Sequence, residues 1–201
     1  MSKYIAIAAT VAVVGGLGAT YAMTQLGGGD HPCGATAIAG GDIGGPFELV
    51  SETGETVTDQ DVITEPTLVY FGYTFCPDVC PLDSARNAAA VDILAEQGMS
   101  VTPVFISIDP ARDTVDVVRD YADNFHPKMI GLTGSEEQVA AASKAYKTYY
   151  NKADDDPEFY LVAHSTFTYL VMPDQGFVEF FKQPTSAEEM AEKTACYIAA
   201  S

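Results

Sequence analysis

Blocks of hydrophobic and polar residues along the chain predict strands and helices in alternation. The continuous apolar runs 67–71 and 101–108 are typical of buried strands. The segments on either side of the turn sequence 52–55 predict a hairpin. Capping sequences and the helix-ending residues Gly98 and Pro127 predict helices over residues 79–97, 114–125, 135–150 and 186–199. Shorter runs predict strands over 129–132, 166–171 and 177–181.

This order of elements predicts the fold class. Strands that alternate with helices favour parallel pairing, and the last two strands, joined by the turn sequence 173–176, add an antiparallel edge. A mixed sheet flanked by helices, with a closing hairpin and helix, is the thioredoxin plan. We therefore expect an α/β, thioredoxin-like domain over residues 46–201, with an N-terminal hairpin extension.

The N-terminal segment 1–26 differs from the rest. The 20 residues from Tyr4 to Met23 carry no charge, and this is about the length that crosses a bilayer as a helix. Lys3 precedes the run, so the positive-inside rule keeps the N-terminus cytoplasmic and exports the remainder. This predicts a single-pass inner-membrane protein whose domain faces the periplasm. The alternative is a cleaved signal peptide with its cleavage site at Thr20–Ala22.

Residues 27–45 link this segment to the domain and hold eight of the seventeen glycines. The composition predicts a flexible tether. The formal net charge of the whole chain is -18. Such a charge repels phosphate backbones, which argues against nucleic-acid binding, and attracts cations or positively charged partners.

The candidate chemistry centres on Cys76 and Cys80, which follow a buried strand and open a predicted helix. Near a helix N-terminus the dipole and free N–H groups stabilise a thiolate, and residues i and i+4 share one helix face. Pro77 is expected in the first helical turn. Two thiols at this spacing can form a disulfide or offer soft ligands that select Cu(I). The alternative is a pair of inert structural cysteines.

His164 is the second candidate. It lies just before a predicted strand, in the loop that faces the dithiol in a thioredoxin plan, and no proline precedes that strand. Two thiolates and one imidazole would make a three-coordinate copper site. A lone histidine can equally be a structural hydrogen-bonding residue.

Four segments together resemble the Sco (SenC) family: 71–81, Ser107–Thr114, 131–134 and His164-Ser165. The resemblance spans roughly residues 45–200. It implies a thioredoxin-like fold with an N-terminal anchor, copper ligands at Cys76, Cys80 and His164, and a role as copper chaperone or thiol reductase for the dinuclear copper centre of cytochrome c oxidase.

Two positions depart from the pattern of that family. Many members have histidine where this chain has Phe75, and aspartate where it has Ala163. The missing acid beside His164 removes a candidate partner of the imidazole and is expected to weaken the site somewhat. The three implied ligands themselves are all present.

Three functions remain open from sequence. The first is delivery of copper, as Cu(I) or Cu(II), to the copper-binding oxidase subunit, with a thiol reductant and other copper chaperones as further partners. The second is a thiol-disulfide reductase, with Cys76 as the attacking thiolate and a redox-active Cys76–Cys80 disulfide. The third is a copper or redox sensor. The imidazole of His164 favours the first, because disulfide exchange does not require it.

Cys33, in the tether, and Cys196, near the end of the last helix, fit neither role. An exported protein with two spare cysteines most often pairs them, so we expect a structural Cys33–Cys196 disulfide. The alternative is two free thiols.

Overall fold

The computed structural model describes residue 33, residues 43–152 and residues 159–201. The chain divides into two compact units, Met1–Ala37 and Ile38–Ser201, and every element below belongs to the second. No helix within the described residues is long and apolar enough to cross a bilayer. The predicted span 4–23 lies outside them, and the segment boundaries at residues 26 and 45 stay predictions.

The described part of the second unit contains nine strands and five helices. The strands are β1 Glu48–Ser51, β2 Thr56–Thr58, β3 Thr67–Gly72, β4 Thr102–Ser107, β5 Ile130–Thr133, β6 Tyr150–Lys152, β7 Val162–His164, β8 Thr168–Met172 and β9 Gly176–Phe181. The helices are α1 Asp59–Val62, α2 Val79–Glu96, α3 Val115–Phe125, α4 Glu136–Ala145 and α5 Ala187–Ala200.

Seven strands form one mixed sheet in the order β2-β1-β5-β4-β3-β8-β9. β3, β4 and β5 are parallel, whereas β8 and β9 are antiparallel, as the sequence predicts. β1 and β2 form the predicted hairpin at one edge. Every residue of β3 and β4 is buried, which places these two strands at the centre of the core. The thioredoxin-like fold is confirmed, with the hairpin as its extension.

One local prediction is wrong, and two small elements were missed. The helix predicted over 135–150 ends at Ala145, because Lys147 adopts a left-handed backbone with φ of 53° and the Thr148 N–H bonds back to the Ser143 carbonyl. The chain then enters β6, which pairs with β7 as a separate two-stranded sheet. This small sheet and the single-turn helix α1 were not predicted, since three or four residues carry too little periodicity.

Candidate metal centre

The cysteines lie where the central strand β3 passes into helix α2. The Cys76 N–H donates to the Tyr73 carbonyl at 3.2 Å, which closes a tight turn. The helix itself begins only at Val79, so Pro77 precedes it rather than occupying its first turn, contrary to expectation. The Cys80 N–H donates to the Cys76 sulfur at 3.4 Å. The sulfur of Cys76 therefore accepts one of the free N–H groups at the helix N-terminus, as the sequence predicts.

Gly72 lets helix α2 approach strand β3 closely enough to bury Cys80. A Cβ at position 72 would lie 2.9 Å from a ring carbon of Tyr70 and 3.1 Å from the Cys80 sulfur. Both distances are shorter than ordinary van der Waals contact. A larger residue here would require the Tyr70 ring and the Cys80 thiol to shift.

His164 ends strand β7, and its imidazole faces the buried thiol. Its Nε2 lies 3.3 Å from the Cys80 sulfur, and its Nδ1 lies 2.8 Å from the Ser165 carbonyl. Because a carbonyl can only accept, the Nδ1 carries the proton in the neutral ring. The lone pair of Nε2 is then directed at the sulfurs, which is the orientation that a metal ligand needs.

Ala163 does not occupy a position from which an acid could support His164. Neighbouring strand residues point to opposite faces, and Ala163 is exposed whereas His164 is half-buried. An acidic side chain at 163 would point away from the imidazole. The backbone carbonyl of Ser165 orients the ring instead, so we no longer expect this departure to weaken the site.

Two tyrosine rings border the imidazole. Tyr73 packs edge-on against His164 with ring centroids 5.7 Å apart, and Tyr70 does so at 6.4 Å. The Tyr73 hydroxyl also accepts a hydrogen bond from the Val162 N–H at 3.2 Å. Tyr73 belongs to the loop 73–78 between β3 and α2, which carries Cys76 and is called the cysteine loop below. It thus connects the cysteine loop to the strand that carries the histidine.

The two thiols differ in acidity. A hydrogen bond from the Cys80 side chain lowers the pKa of Cys76 to about 3, although burial opposes the shift. The backbone N–H groups at the start of α2 add to this effect. The proximity of Cys76, followed by burial, raises the pKa of Cys80. Cys76 is 8% exposed and Cys80 is fully buried, so Cys76 is the accessible thiolate of the pair.

The side chains of Cys76, Cys80 and His164 place their donor atoms within 4.8 Å of one another. They border a cleft of about 420 Å³. Two sulfurs and one imidazole nitrogen suit a soft, low-coordinate ion, and oxygen-preferring ions such as Mg²⁺ fit poorly. The cleft is lined by Tyr73, Cys76, Pro77, Asp78, Val79, Leu161, Val162, Ala163, His164 and Thr166.

Asp113 fixes the turn that leads into Cys76. Its carboxylate accepts hydrogen bonds from the Thr74 N–H at 3.0 Å, the Thr74 hydroxyl at 2.6 Å and the Ser107 hydroxyl at 2.6 Å. Burial raises the pKa of Asp113, and the hydrogen bonds from Ser107 and Thr74 oppose the shift. The sequence pointed to the segment 107–114 only through the family resemblance, although carboxylates directly after a buried strand could have indicated a supporting role.

Of the other cysteines, Cys33 and Cys196 are both disulfide-bonded, and Cys76 and Cys80 are the free thiols among the described residues. The pairing predicted between Cys33 and Cys196 stays a prediction. Asp78, between the two site cysteines, is the N-cap residue of α2, and its exposed side chain makes no capping hydrogen bond.

Residues 35–199 match the family described as SCO1/SenC. Protein SenC of Rhodobacter capsulatus is 52% identical to this chain over 204 residues, which cover 98% of the chain and 91% of the relative. The mitochondrial Protein SCO1 homolog 1 of Arabidopsis thaliana is 43% identical over 151 residues, covering 75% of the chain and 45% of the relative. The chain spans about half the length of this plant relative.

Among solved structures, the fold is similar to that of Arabidopsis thaliana ScoI with copper bound. The TM-score is 0.76 at 41% sequence identity, and the match covers 79% of this chain and 99% of the other. A copper-bound relative therefore shares both the fold and a substantial part of the sequence.

Proposed function

Because the chain belongs to the SCO1/SenC family, we propose that it is a copper metallochaperone for assembly of the dinuclear copper centre of cytochrome c oxidase. One observation carries the proposal: Cys76, Cys80 and His164 present three donor atoms within 4.8 Å. A relative of the same fold is described with copper bound, which supports copper as the cargo.

The donor set suits copper in both oxidation states. Two thiolates satisfy Cu(I), and the imidazole adds a ligand that Cu(II) prefers. The His164 nitrogen that faces the sulfurs is the unprotonated one, so it can bind without first losing a proton. Cys76 lies at the surface end of the group, where thiols of an acceptor protein can replace the chain's own ligands one at a time. The copper-binding subunit of the oxidase is the proposed acceptor.

Location follows from the N-terminal segment. We propose that residues 1–26 anchor the chain in the inner membrane, with the domain in the periplasm. In fractionated cells the full-length chain should be in the membrane, and external protease should digest the domain. A soluble periplasmic form that begins near Met23 would show a cleaved signal peptide instead.

Anaerobic titration of the reduced full-length protein against a Cu(I) chelator tests the proposed function. We expect one copper ion per chain. Oxidation of Cys76 and Cys80 to a disulfide should abolish uptake, because no thiolate remains to bind. Equal uptake by the oxidised and reduced proteins would overturn the proposal.

The difference in acidity between the thiols supports a second candidate function, thiol-disulfide reduction. The Cys76 thiolate would attack a target disulfide and form a mixed disulfide with one target sulfur while the other leaves as a thiolate. Cys80 would lose its proton and attack the Cys76 sulfur, which releases the second target thiolate. The target gains two electrons, and Cys76–Cys80 becomes a disulfide.

His164→Ala separates the two functions. A reductase should keep its rate of reducing a disulfide-containing peptide, because His164 forms no bond in either exchange step. A metallochaperone should lose Cu(II) affinity in the same variant. A retained reductase rate together with unchanged Cu(II) affinity would favour the second function over the first.

A further inference from the structure

Arg112 contacts both of the chain segments that carry the candidate ligands. It lies in the loop between β4 and α3, in neither ligand segment. Building on the proposed function, we propose that Arg112 is a positioning residue that holds the His164 strand against the cysteine loop. It would thereby set the affinity of the site for Cu(II), although it binds no copper itself.

The first half of the evidence is the contact with the histidine side. The Nη1 of Arg112 donates to the Tyr160 carbonyl at 3.0 Å, and the guanidinium lies 3.7 Å from the centroid of the Tyr160 ring. Tyr160 precedes strand β7, which ends at His164. The chain leading to the histidine is therefore held by a charge-assisted hydrogen bond and by a cation–π contact.

Asp109 completes this arrangement. One of its carboxylate oxygens accepts from the Arg112 Nε at 2.5 Å, and the other accepts from the Tyr160 hydroxyl at 2.5 Å. Lys152, at the end of β6, places its Nζ 3.9 Å from the same carboxylate. Asp109 thus fixes Arg112 and Tyr160 relative to each other, and it is fully buried.

The second half of the evidence is the contact with the cysteine side. The Arg112 guanidinium lies 4.7 Å from the ring centroid of Phe75, which precedes Cys76. It also lies 5.7 Å from the ring centroid of Tyr73, whose hydroxyl accepts from the Val162 N–H. One cation therefore lies between the ring beside Cys76 and the backbone before His164.

Stability alone accounts poorly for this arrangement. Burying a charge pair costs desolvation, and a well-packed apolar group is often as stabilising. The Nη2 of Arg112 is moreover buried without a hydrogen-bond partner among the described residues. The contacts of Arg112 are better explained by the two segments that they connect. Strand β7 belongs to a two-stranded sheet outside the main one, so side-chain contacts must hold it in place.

The experiment is a double-mutant cycle on the full-length reduced protein, with Arg112→Gln, His164→Ala and their combination. We expect Arg112→Gln to weaken Cu(II) affinity about tenfold, the usual cost of losing a group that orients a ligand. In the His164→Ala background the same change should alter affinity less than about twofold, because its effect passes through the imidazole. The visible and EPR spectra of the Cu(II) form should shift toward those of His164→Ala.

Arg119→Gln is the matched control. Arg119 pairs with Asp116 and Asp120 on the exposed face of α3, so the same chemical change there should leave Cu(II) affinity and spectra unaltered. If Arg112→Gln does not fold, Tyr160→Phe takes its place. That variant removes only the hydroxyl contact with Asp109, and it should show the same coupling to His164 with a loss of about threefold.

A copper-free measurement keeps this inference separate from the proposed function. In apo protein, Arg112→Gln should speed hydrogen exchange of the Val162 amide about tenfold and leave the Cys80 amide unchanged. Equal losses of Cu(II) affinity in both backgrounds, or unchanged exchange at Val162, would overturn the positioning role. If the wild-type protein binds no copper, the proposed function fails and the exchange result alone decides whether Arg112 holds β7.

Discussion

The cysteine loop and the histidine strand are held by the fold in different ways. The loop continues directly from β3, a buried strand with neighbours on both sides, and runs into the 18-residue helix α2. Strand β7 has three residues and pairs only with β6, in a sheet of two. Two-stranded sheets are marginal without packing from elsewhere. The core therefore fixes the two sulfurs, whereas a few side-chain contacts fix the imidazole.

This difference predicts that cysteine substitutions have the largest effect. Cys76→Ser and Cys80→Ser should each abolish tight Cu(I) binding, because a hydroxyl is a hard, protonated donor that does not replace a soft thiolate. Chelator competition on reduced protein measures the loss. Thermal unfolding should confirm that each variant still folds. Unchanged affinity in either variant would refute the copper site.

His164→Ala should have a smaller effect that depends on oxidation state. We expect Cu(II) affinity to fall about 100-fold, which is the upper end of the losses seen when residues around a metal site are substituted. The loss for Cu(I) should be much smaller, because two thiolates already satisfy that ion. Parallel titrations with the two ions measure this. The control is His126→Ala, the same change at a histidine that bonds Asp92 and the Lys128 N–H outside the cleft, which should leave both affinities unchanged.

The pH dependence of alkylation sharpens the contrast within the cysteine loop. With the pKa of Cys76 lowered to about 3, its thiolate is already formed at pH 5, so its alkylation rate should be flat from pH 5 to pH 8. An ordinary thiol would react about tenfold faster for each pH unit in that range. Cys80, with a raised pKa and no exposure, should stay unlabelled. Mass spectrometry of quenched samples measures the labelling of both cysteines. An alkylation rate at Cys76 that rises with pH would contradict the lowered pKa of that thiol.

Tyr73→Phe should have the smallest effect. It keeps the ring beside His164 but removes the hydroxyl that accepts from the Val162 N–H. We expect a loss of about 1 kcal/mol in the free energy of unfolding, the usual value of one hydrogen bond, and a modest loss of Cu(II) affinity. Urea unfolding measures the first. A Cu(I) loss as large as the Cu(II) loss would show that Tyr73 acts on the sulfurs instead.

The sequence predicted the main sheet well because its strands carry strong local signals. β3 and β4 are continuous apolar runs, and α2 is a long helix that follows a strand and ends close to Gly98. Cys76, Cys80 and His164 were named for their chemistry and their place in the fold, and the structure brings them together. The two cysteines lie at a junction of strong elements, which is why they could be located.

The parts that were missed depend on contacts between distant residues. Strand β6 pairs with β7, from which residues 153–161 separate it along the chain, and a run of three residues carries no signal that predicts this pairing. Arg112 and Tyr160 are 48 residues apart, and their contact passes through a backbone carbonyl. No local pattern encodes such contacts, whose partners are set by tertiary packing.

Gly72 has a consequence for which sequences can build this site. The residue offers no ligand, donor or charge, so a search for metal-binding motifs would pass over it. Yet the 3.1 Å left between its missing side chain and the Cys80 sulfur excludes nineteen of the twenty amino acids without repacking. A larger residue at position 72 should therefore require the Tyr70 ring and the Cys80 sulfur to shift, so the shape of the site depends on a residue that contributes no side chain.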